Sequence, residues 1–298
     1  MVIKHSLHCA AWACANSHSE RICEAIRGEE MMERNVMVQL VGGTFLAATL
    51  LLGASGTALA DDKTEPPATS AKEIKDQRAL KLLKDMGDTL AAARTLQFKA
   101  RSLLPLESPT GQYISLFAAS RVLLQRPDRL FVESRGDLLP NDLYYNGKTV
   151  TAIGPARKFY AQQEASGSTV DEVVQQEHPG ADTLAPFVDL LVSDPYARLT
   201  KDLSSAFVVG QSTIAGVKTD HLAFTAPGID WELWIGAQDK LPRLAVASYR
   251  SGERQPTFTV EFSDWKLNAP LPAQSFEVSI PKDAVKLEFK RIGLAQSK

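Results

Sequence analysis

The chain has 298 residues, 44% of them hydrophobic and 23% charged, with a formal net charge of −2. So even a balance gives no electrostatic case for nucleic acid or an anionic membrane surface as a partner. The three cysteines, Cys9, Cys14 and Cys23, all precede residue 60, so a chain processed there carries no disulfide and no cysteine nucleophile.

Residues 31–60 read as a secretory signal. Arg34 lies in a short n-region, an apolar core runs from Val36 to Leu52, and Ala58-Leu59-Ala60 forms an A-x-A cleavage site. The apolar core is interrupted by Gln39 and two glycines, which makes it short for a span of about 20 residues. No cysteine follows the site, so a lipid anchor by this route is not expected. Cleavage after Ala60 is expected to release a periplasmic protein that begins at Asp61 and keeps no transmembrane anchor. Residues 1–30 hold His5, His8 and His18 beside the three cysteines, but the spacing fits no zinc finger. That segment reads as an over-extended start or as part of the discarded leader. Residues 61–70, with Pro66-Pro67, read as a flexible linker, residues 71–290 as a single domain, and residues 291–298 as a tail.

Ser70 and Glu73 have the spacing of a capping box. Leu80, Leu83, Met86 and Leu90 follow at helical spacing, which predicts an amphipathic helix over 71–93. From Thr95 the period becomes two. Ile114, Leu116, Ala118, Val122 and Leu124 share one face, and Asn146-Gly147 between two β-rich runs signals a hairpin. A further hairpin is expected through Gly154-Pro155. The middle returns to helical spacing. Ser168 is the expected N-cap for Val170, Val173 and Val174. Leu184, Phe187, Leu190 and Leu191 then share a face, and Asp194-Pro195 restarts a short helix. This helical insert spans 169–203. Strands return after it, ending in TFTVEFSDW (257–265) and SFEVSIP (275–281). Phe258, Val260 and Phe262 share a face, as do Phe276, Val278 and Ile280.

Two tryptophans, Trp231 and Trp234, stand three residues apart in a chain with four in all. In a strand they face opposite sides. Trp231, Leu233 and Ile235 make the apolar side. Asp230, Glu232 and Trp234 make the polar one, where Trp234 is expected to pack against the returning strand. The total is one helix, about ten antiparallel strands and a helical insert. A sheet with one apolar face must close, stack or be covered. The expected fold is therefore mainly antiparallel β (α+β): a single, strongly curved, incompletely closed β-barrel with an N-terminal helix and a central helical lid.

The stretches DLLVSDPYARL, GVKTDHLAF, PGIDWELWI with LPRLAV, and FSDW resemble the bacterial periplasmic domain-of-unknown-function family 2092, over about 72–289. Through its fold that family is similar to the Lol-system (LolA/LolB-like) lipoprotein carriers, to periplasmic sigma-factor regulators and to mycobacterial lipid-carrying lipoproteins. The resemblance implies an open barrel with a helical lid over an apolar cavity. It supplies no catalytic residues, and no local motif places the carriers' functional arginine.

No enzyme constellation stands out. The chain after residue 60 has no G-x-S-x-G, H-E-x-x-H, C-x-x-C or phosphate-cradling loop. His178 and His221 are its only histidines. His221 alternates away from Leu222 and Phe224 and reads as a hydrogen-bonded structural residue. Asp230 with Glu232 reads as a solvated strand face. No enzyme activity, metal or cofactor is expected. The expected function is that of a non-catalytic periplasmic carrier that holds a lipid or acylated protein between sheet and lid. The wall residues would be Ile114, Leu116, Trp231, Leu233, Phe258, Val260 and Phe262, and the lid residues Phe187, Leu190 and Leu191. The alternative is a sensor or interaction module with a filled core, which binds a periplasmic protein and no ligand.

Overall fold

The computed structural model describes residues 74–137, 141–154, 157–177, 187–250 and 255–288. The leader, the linker, Ser70, His178 and Leu184 lie outside them. Three helices are described: α1 (Gln77–Ala91), α2 (Val170–Glu177) and α3 (Pro195–Thr200). The strands are β1 (Thr95–Glu107), β2 (Tyr113–Gln125), β3 (Arg129–Gly136), β4 (Asn141–Tyr145), β5 (Thr149–Ile153) and β6 (Phe159–Glu164). After the insert come β7 (Ser205–Ile214), β8 (Val217–Ala226), β9 (Ile229–Gly236), β10 (Pro242–Tyr249), β11 (Thr257–Leu267) and β12 (Val285–Leu287).

All twelve join one sheet in the order β12-β6-β5-β4-β3-β2-β1-β11-β10-β9-β8-β7. Every ladder is antiparallel except β12 on β6. The chain before the insert and the chain after it meet at β1 and β11, where Ala100 opposes Phe262. The sheet ends at β12 and β7, so the barrel stays open.

Alternation assigns the faces. In β1, Leu96, Phe98, Ala100, Ser102 and Leu104 are buried on the inner side. The four apolar ones share one core with Leu83, Met86 and Leu90 of α1, Val170 and Val174 of α2, and Leu222, Leu233 and Phe262 of the sheet. The inner face is therefore concave and the helices lie in it. α1 begins at Gln77, later than predicted, because 74–76 is extended and bridges the edge of β7. The Asp76 amide donates to Ala206 O at 2.8 Å, and the Ala206 amide to Ile74 O. Asp76, not Ser70, caps the helix, its carboxylate accepting from the Arg78 amide at 2.8 Å. Gly87 sits within α1 for a packing reason: a Cβ there would meet Tyr196 Cβ of α3 at 2.9 Å. A mid-helix glycine costs about 1 kcal/mol against alanine, and the close crossing of α3 explains why it is there.

Two further expectations are corrected. Thr169, not Ser168, caps α2: its hydroxyl accepts from the Glu172 amide, while the Glu172 carboxylate turns back to the Ser168 amide at 2.6 Å. The run 275–281 is not a strand. Ala273–Phe276 forms a 3-10 turn. Phe276 is buried on the outer face against Leu123, Phe131, Tyr144 and Ile153, with Val278 and Ile280 packed beside it. The alternation that reads as a strand is a strap laid over the sheet without joining it.

Candidate functional site

The insert closes one end of the concave face. Phe187 meets Phe98 edge-on at 5.7 Å, and Phe98 stacks on Trp265 at 4.3 Å. Simple alternation puts Trp265 outside. A bulge at Asp264 (φ 56°) shifts the register and turns the indole inward, where its Nε1 donates to Pro242 O at 2.9 Å. Phe187, Leu190 and Leu191, the predicted lid residues, are all buried in the inner core. Of the predicted wall, Leu233, Phe258, Val260 and Phe262 are buried there too.

The polar fastening of the insert was not foreseen. Arg126, in the β2–β3 turn, donates from Nη1 to Leu191 O at 2.7 Å, from Nη2 to Val192 O at 2.8 Å and from Nε to Ala93 O at 3.2 Å. One guanidinium thus joins the turn, the end of α1 and the insert. Burial pushes its pKa down, and the nearby Asp171 partly restores it. Asp171 accepts from the Ser193 amide at 3.0 Å and from the Ser193 hydroxyl. Tyr145 donates to Gly167 O at 3.0 Å, just ahead of α2. Burial and the carboxylates of Asp128 and Glu172 push the Tyr145 hydroxyl up to about 12. The sequence marks Arg126 only by its place before Pro127 in a turn. Nothing local says that its partners lie 65 residues on.

The other end of the concave face is less covered. Leu104 opposes Leu116, and Leu106 opposes Ile114. Ile114 is 41% exposed and Leu106 51%, so Ile114 lies on the rim and not inside. Leu116 and Trp231 are half-buried. Trp231 stacks on Phe224 at 3.9 Å and faces Ala247 across the ladder. Ala226, Ala245, Ala247 and Tyr249 are partly exposed and lean on the same core. The floor here is made mostly of methyl groups. Two depressions among the described residues lie elsewhere. One of about 420 Å³ is lined by Gln162, Gln163 and 286–288 at the β6–β12 edge, and one of about 270 Å³ by α2, 192–194, Arg198 and Lys201.

On the outer face, His221 Nε2 lies 2.7 Å from Glu232 Oε2, and its ring stacks on Trp234 at 3.9 Å. Trp234 therefore packs on the preceding strand, not only on the returning one, because His221 directly opposes it. Asp220 faces inward, buried, and accepts from Gln211 Nε2 at 2.8 Å. It does not approach His221 as a triad requires. Asp230 accepts from Thr225 Oγ1 at 2.9 Å. Among the described residues, no group of three or more His, Cys, Asp or Glu could hold a metal ion, and no helix is long and apolar enough to cross a membrane.

No curated protein sequence matches the chain. Solved structures are similar over much of it at low identity. An uncharacterized conserved protein from Thermus thermophilus is 15% identical, covering 71% of this chain and 99% of its own, with a TM-score of 0.42. The Mycobacterium tuberculosis lipoprotein LppX is 13% identical, covering 66% and 99%, with a TM-score of 0.38. MucB is 15% identical, covering 68% and 64%, with a TM-score of 0.35. Residues 79–290 match a family described as predicted periplasmic protein (DUF2092), and the chain belongs to that family.

Proposed function

We propose that the chain is exported, cleaved after Ala60, and serves as a non-catalytic binding protein for the alkyl chain of a lipid or an acylated protein. One observation carries the reading. The concave face is plugged by Phe187, Leu190 and Leu191 at one end and left as a partly exposed floor of alanines at the other. Uncovered apolar surface in a water-facing hollow is unfavourable by about 25 cal/mol per Å², and folded proteins usually fill it. On this reading an alkyl chain lies over the small side chains there, against Trp231, Tyr249 and Leu116. The insert is fastened by a few polar contacts to backbone carbonyls, which can be released and remade.

The test is binding of a fluorescent fatty acid to the protein recovered from the periplasmic fraction, whose intact mass should correspond to a start at Asp61. Ala247→Trp, which fills the floor between Trp231 and Phe258, should weaken binding by about tenfold or more while the unfolding temperature holds, since it displaces several methylene contacts of about 0.8 kcal/mol each. If no alkyl chain binds the parent protein, the carrier reading fails and the module with a filled core, binding a periplasmic protein, takes its place.

A further inference from the structure

The hairpin β1–β2 outruns its neighbours. β11 pairs with β1 only as far as Leu103, and β3 pairs with β2 only as far as Ala118. Among the described residues, 104–116 therefore form a two-stranded finger beyond the rest of the sheet. A ribbon of that kind has marginal stability alone in water, and exposed apolar side chains on it call for a partner or a medium that covers them. Its inner side exposes Leu106 (51%) and Ile114 (41%), its outer side carries the half-buried Pro105 and Tyr113, and Leu103 (46%) is exposed just below it, where β11 still pairs. From 103 to 117 Glu107 is the one charged residue.

The tip is polar, and part of it is paired within the turn. The Ser108 amide donates to Gln112 O at 2.8 Å and the Gly111 amide to Ser108 O at 2.9 Å. The Gln112 amide donates to Ser108 Oγ at 3.1 Å, and that hydroxyl shares a proton with Thr110 Oγ1 at 2.9 Å. These turn bonds persist when the hairpin leaves bulk water, while the Glu107 carboxylate stays at the hydrated headgroup level. Behind the finger, Arg101 lies over the Phe117 ring at 5.8 Å, a cation on an aromatic base that can reach a phosphate while its stem stays in apolar surroundings.

We propose that this finger docks the protein on a lipid bilayer. A protein partner would cover one face of the ribbon. Apolar side chains on both faces, a nearly uncharged surface and a turn partly paired within itself fit a medium that surrounds it. The finger's inner row, Leu106 and Ile114, then Leu104 and Leu116, runs back to the alanine floor. Docking thus deepens the reading above, giving an alkyl chain an apolar path off the membrane, but it stands on the finger's own residues.

The experiment is co-sedimentation of the protein recovered from export with phosphatidylcholine vesicles at low and high salt. The parent protein should bind with little salt dependence. Leu106→Ser with Ile114→Ser should lower the bound fraction by about tenfold, because two half-exposed apolar side chains no longer enter the interface. Phe207→Ser, at an equally exposed site on the edge strand β7, should change nothing. Vesicles should also slow amide exchange over 104–116 in the parent, a readout that needs no variant. Failure of the parent to bind, an equal loss with Phe207→Ser, binding that requires anionic lipid and vanishes in salt, or unprotected finger amides would each overturn the proposal. Ala247→Trp should still dock, and a parent protein that docks yet takes up no fatty acid would count against the floor alone.

Discussion

Arg126 gives the sharpest test of whether the insert is a lid. In Arg126→Met the side chain keeps its length and loses its donors. Three hydrogen bonds disappear, to Leu191, Val192 and Ala93 carbonyls at 2.7, 2.8 and 3.2 Å. Hydrogen bonds from a charged group contribute about 1.5–3 kcal/mol each. Part of that is offset by the cost of holding a guanidinium away from water, which the lowered pKa records. A net loss of about 2–4 kcal/mol on docking of the insert follows, or a rise of roughly 30- to 1000-fold in its opening equilibrium. Hydrogen exchange read by peptide should show that rise over 187–201, with the ladders of β8 to β11 unchanged. Uptake of a fluorescent fatty acid should quicken. Arg126→Lys, which keeps the charge and loses the fork, should fall between. The latch is refuted if exchange in the insert is unchanged, or if insert and sheet lose protection together. The second result would make Arg126 part of one cooperative core.

Leu190→Ala removes a buried contact at the centre of the insert. A lid should respond with faster exchange confined to the insert and a stable sheet, whereas an ordinary core position would lower global stability by about 2–5 kcal/mol in denaturant melts. Tyr145→Phe probes the alkaline limb. The folded hydroxyl titrates at about 12, above the usual value near 10, so its contribution is complete below pH 10 and is lost as the pH climbs toward 12. The variant should lose about 0.5–1.5 kcal/mol at neutral pH with the bond to Gly167. Its stability should also fall less steeply than the parent's between about pH 10 and 11.5, and parallel curves would count against the assignment.

Much of this fold was legible as alternation. Phe258, Val260 and Phe262, and Trp231 with Leu233 and Ile235, read inward from parity alone, because a strand's period of two is local. Where the reading failed, a distant partner had intervened. Asp76 displaced Ser70 as the cap because 74–76 is held by β7, far along the chain at Ala206. Phe276, Val278 and Ile280 alternate like a strand, yet the outer face of β2 to β5 was their partner and no free ladder edge was. Trp265 was turned by one bulged residue. The candidate site was half legible. The plug and the buried wall follow from helical and strand spacing. The exposure of Ile114 follows only from how far β3 and β11 extend, and the role of Arg126 only from tertiary contact.

A filled core at one end does not by itself oppose a carrier. Phe187, Leu190 and Leu191 together contribute on the order of 5–9 kcal/mol by burial, at about 1.5–3 kcal/mol each. The latch adds about 2–4 kcal/mol. An alkyl chain contributes about 0.8 kcal/mol per methylene buried, so roughly 9 to 16 methylenes match what the plug gives up. That is the length of ordinary membrane acyl chains. It is too much for short amphiphiles, which would meet only the alanine floor and leave the insert seated. The same balance explains why the closed state is packed. Without a long chain, the side chains that would yield to it are the best available cover for Phe98, Phe262 and Trp265. On the carrier reading, a long alkyl chain reaches past the alanine floor and competes with the plug for the surface around Phe98, and the polar contacts at Arg126 and Asp171 set how readily the plug gives way.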